Sequence, residues 1–150
     1  MSKEKIGLYI HIPFCKKICS YCDFPKRVSS IDNQKIYINA LINEFEKVKP
    51  LLEKYVIKSI YIGGGTPSSV PNYLLRQLLS SIAQKSVLND IEEFSIEANP
   101  EDIDDEFIKT IKEYIAYIKL SIVEENNQIA YVISFHEALK NELNERPFRR

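Results

Sequence analysis

Three short β-rich runs alternate with three amphipathic stretches over the first 114 residues, and each run stops at a punctuated loop. In the first, Ile6, Leu8, Ile10 and Ile12 alternate with Gly7, Tyr9 and His11, the period of a strand, and Pro13 closes it. From about Asp32 to Lys49, Ile36, Tyr37, Ala40, Leu41, Phe45 and Val48 recur at helical spacing, with Asp32 as candidate N-cap and Pro50 as the stop. Val56 to Ile62 reads as a second strand that ends at Gly63-Gly64-Gly65-Thr66-Pro67. Ser69 is the candidate cap of a helix with Pro71 in its first turn and Leu74, Leu75, Leu78, Leu79 and Ile82 on its apolar face. Glu93 to Glu97 is a third strand, closed by Asn99-Pro100. Asp104 to Tyr114 is a third helix with Phe107, Ile108, Ile111 and Tyr114 on one face. Strands alternating with helices predict an α/β fold, a parallel sheet built from right-handed crossovers.

Beyond Tyr114 the pattern weakens. Ile115 to Val123 and Ile129 to Phe135 are candidate fourth and fifth strands, but no glycine follows Gly65. Burying a few of Ile115, Ile118, Leu120 and Ile122 contributes about 1.5–3 kcal/mol each. Ordering each residue costs on the order of 1–2 kcal/mol in backbone entropy. The expectation is therefore a frayed tail over residues 115–150 that leaves the sheet edge open. Its end, Asn141 to Arg150, is polar and basic and reads as a solvated terminus.

A chain of 150 residues with 45% hydrophobic and 27% charged content can build one ordinary globular core. Its net charge of −1 gives no electrostatic reason for nucleic-acid or anionic-membrane partners. No apolar run approaches the ~18 residues of a membrane span. Met1 to Lys5 leads straight into the first strand without the apolar region of a signal peptide, so the expected location is the cytoplasm.

The chemistry sits in the loops. Cys15, Cys19 and Cys22, the only cysteines, form a C-x3-C-x2-C triad just after the first strand. Three thiolates from one tight loop suit a [4Fe–4S] cluster and leave one iron open for a ligand, as catalytic metal centres do. A structural zinc site would want a fourth ligand, for which His11 is the nearby candidate. A disulfide framework would want an even count and a secreted chain. Gly63 to Gly65 lie at the C-terminal end of the second strand, the edge where parallel α/β sheets hold ligands. There bare backbone admits close approach and leaves N–H and C=O groups free. No Gly-Lys-Ser/Thr follows, so this is not a P-loop. Glu97 ends the third strand on the same edge, where a carboxylate can accept from a ribose diol; the alternative is an ordinary exposed strand-end glutamate. Tyr9 either lines the same mouth or packs as a half-buried strand tyrosine.

Tyr9-Ile-His-Ile-Pro-Phe-Cys15 with its triad, then Gly-Gly-Gly-Thr-Pro-Ser and Glu97-Ala-Asn-Pro, resemble the N-terminal part of the radical S-adenosylmethionine (SAM) proteins grouped with oxygen-independent coproporphyrinogen III oxidase. The resemblance covers about residues 6–114. It implies a truncated partial (β/α) barrel of parallel strands with about three βα units retained in residues 1–114, and a divergent or frame-disrupted tail in 115–150. It also implies a cluster on Cys15, Cys19 and Cys22, and SAM cradled by Gly64, Gly65 and Thr66. Glu97 would meet the ribose, and Tyr9 and Tyr21 would flank the cofactor. Cleavage of SAM by the reduced cluster is the reaction the family supplies. After the third cysteine the oxidases continue Cys-x-Cys, whereas this chain has Cys22-Asp23-Phe24. That is similar to the HemW heme-chaperone branch and disfavours coproporphyrinogen oxidation; the partners implied are heme and a heme-acceptor protein. The Gly-x-Gln-Ser-Phe segment of the family's fourth strand is not reproduced by Ile118 to Gln128, so later SAM and heme contacts would be missing. A bare iron–sulfur module is the third reading.

Overall fold

The computed structural model describes residues 3–83, 91–114, 119–125 and 128–136, the last two segments by their backbone. Strands β1 (Lys5–Ile12), β2 (Val56–Gly64) and β3 (Glu93–Ala98) alternate with helices α1 (Ile31–Leu52), α2 (Asn72–Ala83) and α3 (Asp105–Tyr114). β1 pairs parallel with β2, and β2 with β3, as the alternation predicts. The strands are β-rich and half-alternating because their odd and even residues meet different surroundings. Ile10, Ile12, Ile60, Ile62, Phe94, Ile96 and Ala98 form one face, buried in a core with Ile38 and Phe45 of α1, the α2 leucines, and Phe107 and Ile111 of α3. Burial of such side chains contributes about 1.5–3 kcal/mol each. A register shift between β1 and β2 adds Lys58 as an extra residue, so that Ile57 and Ile60 both reach the core.

Helix boundaries show where local chemistry departs from the sequence expectation. Ser30, not Asp32, caps α1: its hydroxyl accepts from the Asn33 amide at 3.3 Å. The helix also runs past Pro50, because Leu52 is buried and draws the chain on for another half-turn. Ser69 does not cap α2; its hydroxyl donates to the Phe14 carbonyl at 3.2 Å, tying the glycine loop to the cysteine loop. Asp104 caps α3, accepting from the Phe107 amide at 2.7 Å. Replacing Asp104 with alanine should lower stability by about 1 kcal/mol, the usual cost of losing such a cap. A urea titration reads this as a lower midpoint at unchanged slope; an unmoved midpoint would show that the cap does not hold α3.

Two further strands follow, β4 (Lys119–Glu125) and β5 (Gln128–His136), where the sequence places its fourth and fifth candidates. They form an antiparallel hairpin, and β5 pairs antiparallel with β3 from Glu93↔His136 to Ala98↔Tyr131. The sheet order is β1-β2-β3-β5-β4. The edge of β3 is thus covered, against the expectation of an open one. A hairpin needs only a tight connection, while a further parallel strand needs a long crossover. The expected solvated terminus, Asn141 to Arg150, lies outside the described residues. Among the described residues, no helix is long and apolar enough to cross a membrane.

Candidate cofactor site at the strand ends

The second sheet face carries Tyr9 and His11 from β1, Tyr61 and Gly63 from β2, and Ser95 and Glu97 from β3, with Tyr9 level with Tyr61 and Tyr61 level with Ser95. Period-2 alternation puts these residues opposite the isoleucine core. The Tyr9 and Tyr61 rings stack at 5.9 Å, and the Tyr9 hydroxyl shares a 2.9 Å hydrogen bond with His11 Nδ1. Glu97 is bound on both oxygens: Tyr61 donates to Oε1 at 2.6 Å and the Gly64 amide to Oε2 at 3.0 Å. Burial, then the charge of Glu97, raises the Tyr9 phenol above its ordinary value. Burial and the hydrogen bond to Glu97 raise Tyr61 further.

The cysteine loop is pinned at its base by backbone hydrogen bonds and held beyond it by fewer, local ones, among them Cys22 N–H to the Cys19 carbonyl at 3.3 Å. Cys15 N–H donates to the Arg27 carbonyl at 3.0 Å, and Arg27 N–H to Pro13 at 2.7 Å. Thr66 N–H donates to the Phe14 carbonyl at 2.7 Å, and its hydroxyl meets Cys15 Sγ at 3.5 Å. Lys16 pairs with Asp102, whose carboxylate also accepts from Ser68 at 2.9 Å. Lys26 donates to the Cys22 carbonyl. The three thiols are free and half-buried. Tyr21 is 48% exposed, and a hydrogen bond to Cys19 is the main cause that pushes its phenol up to about 12. Phe24 is 71% exposed at the end of the loop.

The sequence-singled residues therefore come together unequally. Cys15 touches Thr66, Glu97 touches Gly64, and Tyr9 leans on the same array. Among the described residues no three His, Cys, Asp or Glu side chains form a group that could hold a metal ion. The amides expected to be free are not. Gly64 N–H serves Glu97, Gly65 N–H the Ile12 carbonyl at 2.9 Å, and Thr66 N–H Phe14. The Thr66 carbonyl in turn accepts from the Ser69 amide at 2.8 Å. Sequence reading missed Tyr61; the signal for it was its place in the same alternating set as Gly63, two residues on.

A profile of the Radical SAM superfamily matches residues 9–145. Heme chaperone HemW of Lactococcus lactis is 43% identical over 130 residues, 86% of this chain and 33% of that protein. Its counterpart in Bacillus subtilis is 41% identical over 106 residues, 70% of this chain and 28% of that one. The chain thus spans about a third of the length of these relatives. Among solved structures, coproporphyrinogen III oxidase (HemN) from Escherichia coli, a radical SAM enzyme, superposes with a TM-score of 0.64 at 26% identity, covering 75% of this chain and 26% of that one. The α/β core with its three parallel strands is the fold these two proteins share. A cysteine loop, a glycine turn and a strand-end glutamate on one edge, with a profile match over most of the length, make this chain a member of the radical SAM superfamily.

Proposed function

We propose that the chain forms the N-terminal, cofactor-bearing part of a heme chaperone of the HemW type. The observation that carries this reading is the 43% identity to a protein of that name across 86% of the chain. Three half-buried free thiols on a loop pinned at its base fit the donor chemistry of a [4Fe–4S] cluster with one open iron. Cys15, Cys19 and Cys22 would hold it, and when bound and reduced it supplies the electron for cleaving SAM. The chain's own part is to bind and orient. Gly64, Gly65 and Thr66 would cradle SAM's methionine end, where backbone carbonyls suit its ammonium group; that of Thr66 already accepts once, from Ser69 N–H at 2.8 Å, and keeps a second lone pair. Glu97, with a lone pair left on each oxygen, accepts from a ribose diol. Tyr9 and Tyr21 flank the adenosyl group and exclude water. Free thiols of this kind belong in a reducing cytosol, where heme and a heme-accepting protein would be the partners.

Coproporphyrinogen oxidation is the second reading, favoured by the superposition on HemN. Phe24, exposed where the oxidases carry a further cysteine, argues against it. The test is anaerobic incubation of the reconstituted chain with coproporphyrinogen III, SAM and a reductant, followed by chromatography of the porphyrins. No conversion is expected; protoporphyrinogen in the product would replace the chaperone reading with the oxidase.

A further inference from the structure

The glycine run contains one residue whose absence of a side chain the ligand edge does not explain. Gly63 lies on β2 between Ile62 and Gly64, and its φ is not in the left-handed region. A Cβ there would stand 2.5 Å from Cε1 of Tyr61 and 3.2 Å from Cδ and Oε1 of Glu97. Gly63 is thus bare because the Tyr61 ring and the Glu97 carboxylate close over it. The same pair is joined by the 2.6 Å bond from the Tyr61 hydroxyl to Oε1, while the Gly64 amide takes Oε2. Tyr9 stacks on the outer side of the Tyr61 ring, tilted by 23°. The carboxylate is held from two sides and the phenol from two sides. Ring torsions in such an enclosure cannot turn away without breaking a contact.

We infer that Tyr61 is a positioning residue for the cofactor. Over bare Gly63 its hydroxyl fixes the rotamer of Glu97, so that the carboxylate already faces a bound nucleoside's ribose before the ligand arrives. The inference rests on the proposed role of Glu97 and deepens it. Tyr61 touches no reacting atom; it acts through the carboxylate. Without the phenolic bond, Glu97 keeps its Gly64 contact and can rotate about it. Binding must then fix a side chain that the folded protein otherwise supplies ready-set.

The experiment is SAM binding to the cluster-reconstituted chain, read by the change in the reduced cluster's electron paramagnetic resonance spectrum. Wild type, Tyr61→Phe, Glu97→Ala and the double variant are compared. Tyr61→Phe keeps the stacked ring and removes one hydroxyl, and should weaken SAM by about tenfold, the scale of one hydrogen bond to a charged acceptor. In the Glu97→Ala background the same change should have little further effect, because the group it orients is gone. Gly63→Ala provides a second route: its methyl displaces the ring, and its penalty too should shrink when Glu97 is already changed. Iron content and circular dichroism establish that each variant is folded and loaded. Unweakened binding by Tyr61→Phe overturns the inference, as does an equal loss in both backgrounds, which would mark a merely structural tyrosine. A wild-type spectrum that never responds to SAM would instead defeat the cofactor reading of the site, and this inference with it.

Discussion

Replacing Cys19 with alanine is expected to remove the iron–sulfur cluster altogether. Anaerobic reconstitution of the wild-type chain should give about four irons, the content of one cubane. The variant should give close to none. The loop supplies three thiols and the chain has no fourth cysteine to substitute. His11, the nearer of the chain's two histidines in sequence, is engaged with Tyr9 through Nδ1. The fold should survive, because the loop is fastened at its base through Cys15, Arg27 and Pro13 backbone groups, and the Cys19 carbonyl that accepts from Cys22 N–H is kept by alanine. Iron analysis beside a urea titration separates the two effects. Four irons retained by the variant, or tetrahedral zinc in place of iron in the wild type, would refute the assignment.

Gly64→Val should have the largest effect on stability. Gly64 sits at φ 129°, a backbone conformation that L side chains rarely adopt. A Cβ would also stand 2.7 Å from the Ile12 carbonyl and 2.8 Å from the His11 ring. Strain of this kind costs about 1–3 kcal/mol. Overpacking adds about 1–3 kcal/mol more. Together they remove a large part of the roughly 5–15 kcal/mol by which a domain is typically stable. Urea unfolding should therefore show a much lower midpoint, or a chain unfolded in buffer. If Gly64→Val instead unfolds like the wild type and loses SAM binding alone, the glycine serves the ligand and not the junction of β1 and β2.

The three βα units were legible because their signals are local. Alternating isoleucines, helical leucine spacing and the Gly-Thr-Pro and Asn-Pro stops each act within a few residues. The cysteine triad and Glu97 were legible for the same reason, since strand ends in a parallel sheet share one edge. Choices between neighbouring hydroxyls and carboxylates were not. Ser30 outcompetes Asp32 as a cap through its backbone geometry, and Ser69 turns to Phe14, which is 55 residues away in sequence. Tyr61 looked like one more aromatic strand residue; its role depends on the distant carboxylate of Glu97. The direction of β5 was equally hidden, because a β-rich run does not reveal whether it will pair parallel or antiparallel.

That reversed strand shapes the approach to the site. Ala98, the last residue of β3, is level with Tyr131, so Gln128 to Ala130 of β5 continue past the end of β3. At about 3.3 Å per residue, three residues overhang the ligand edge by roughly 10 Å. On that flank the mouth has a wall. On the opposite flank β1 is outermost among the described strands, and Tyr9 is 56% exposed while Tyr61 behind it is half-buried. Among the described strands the edge is therefore asymmetric, with an exposed tyrosine on the β1 flank and the overhanging backbone of a hairpin on the β3 flank.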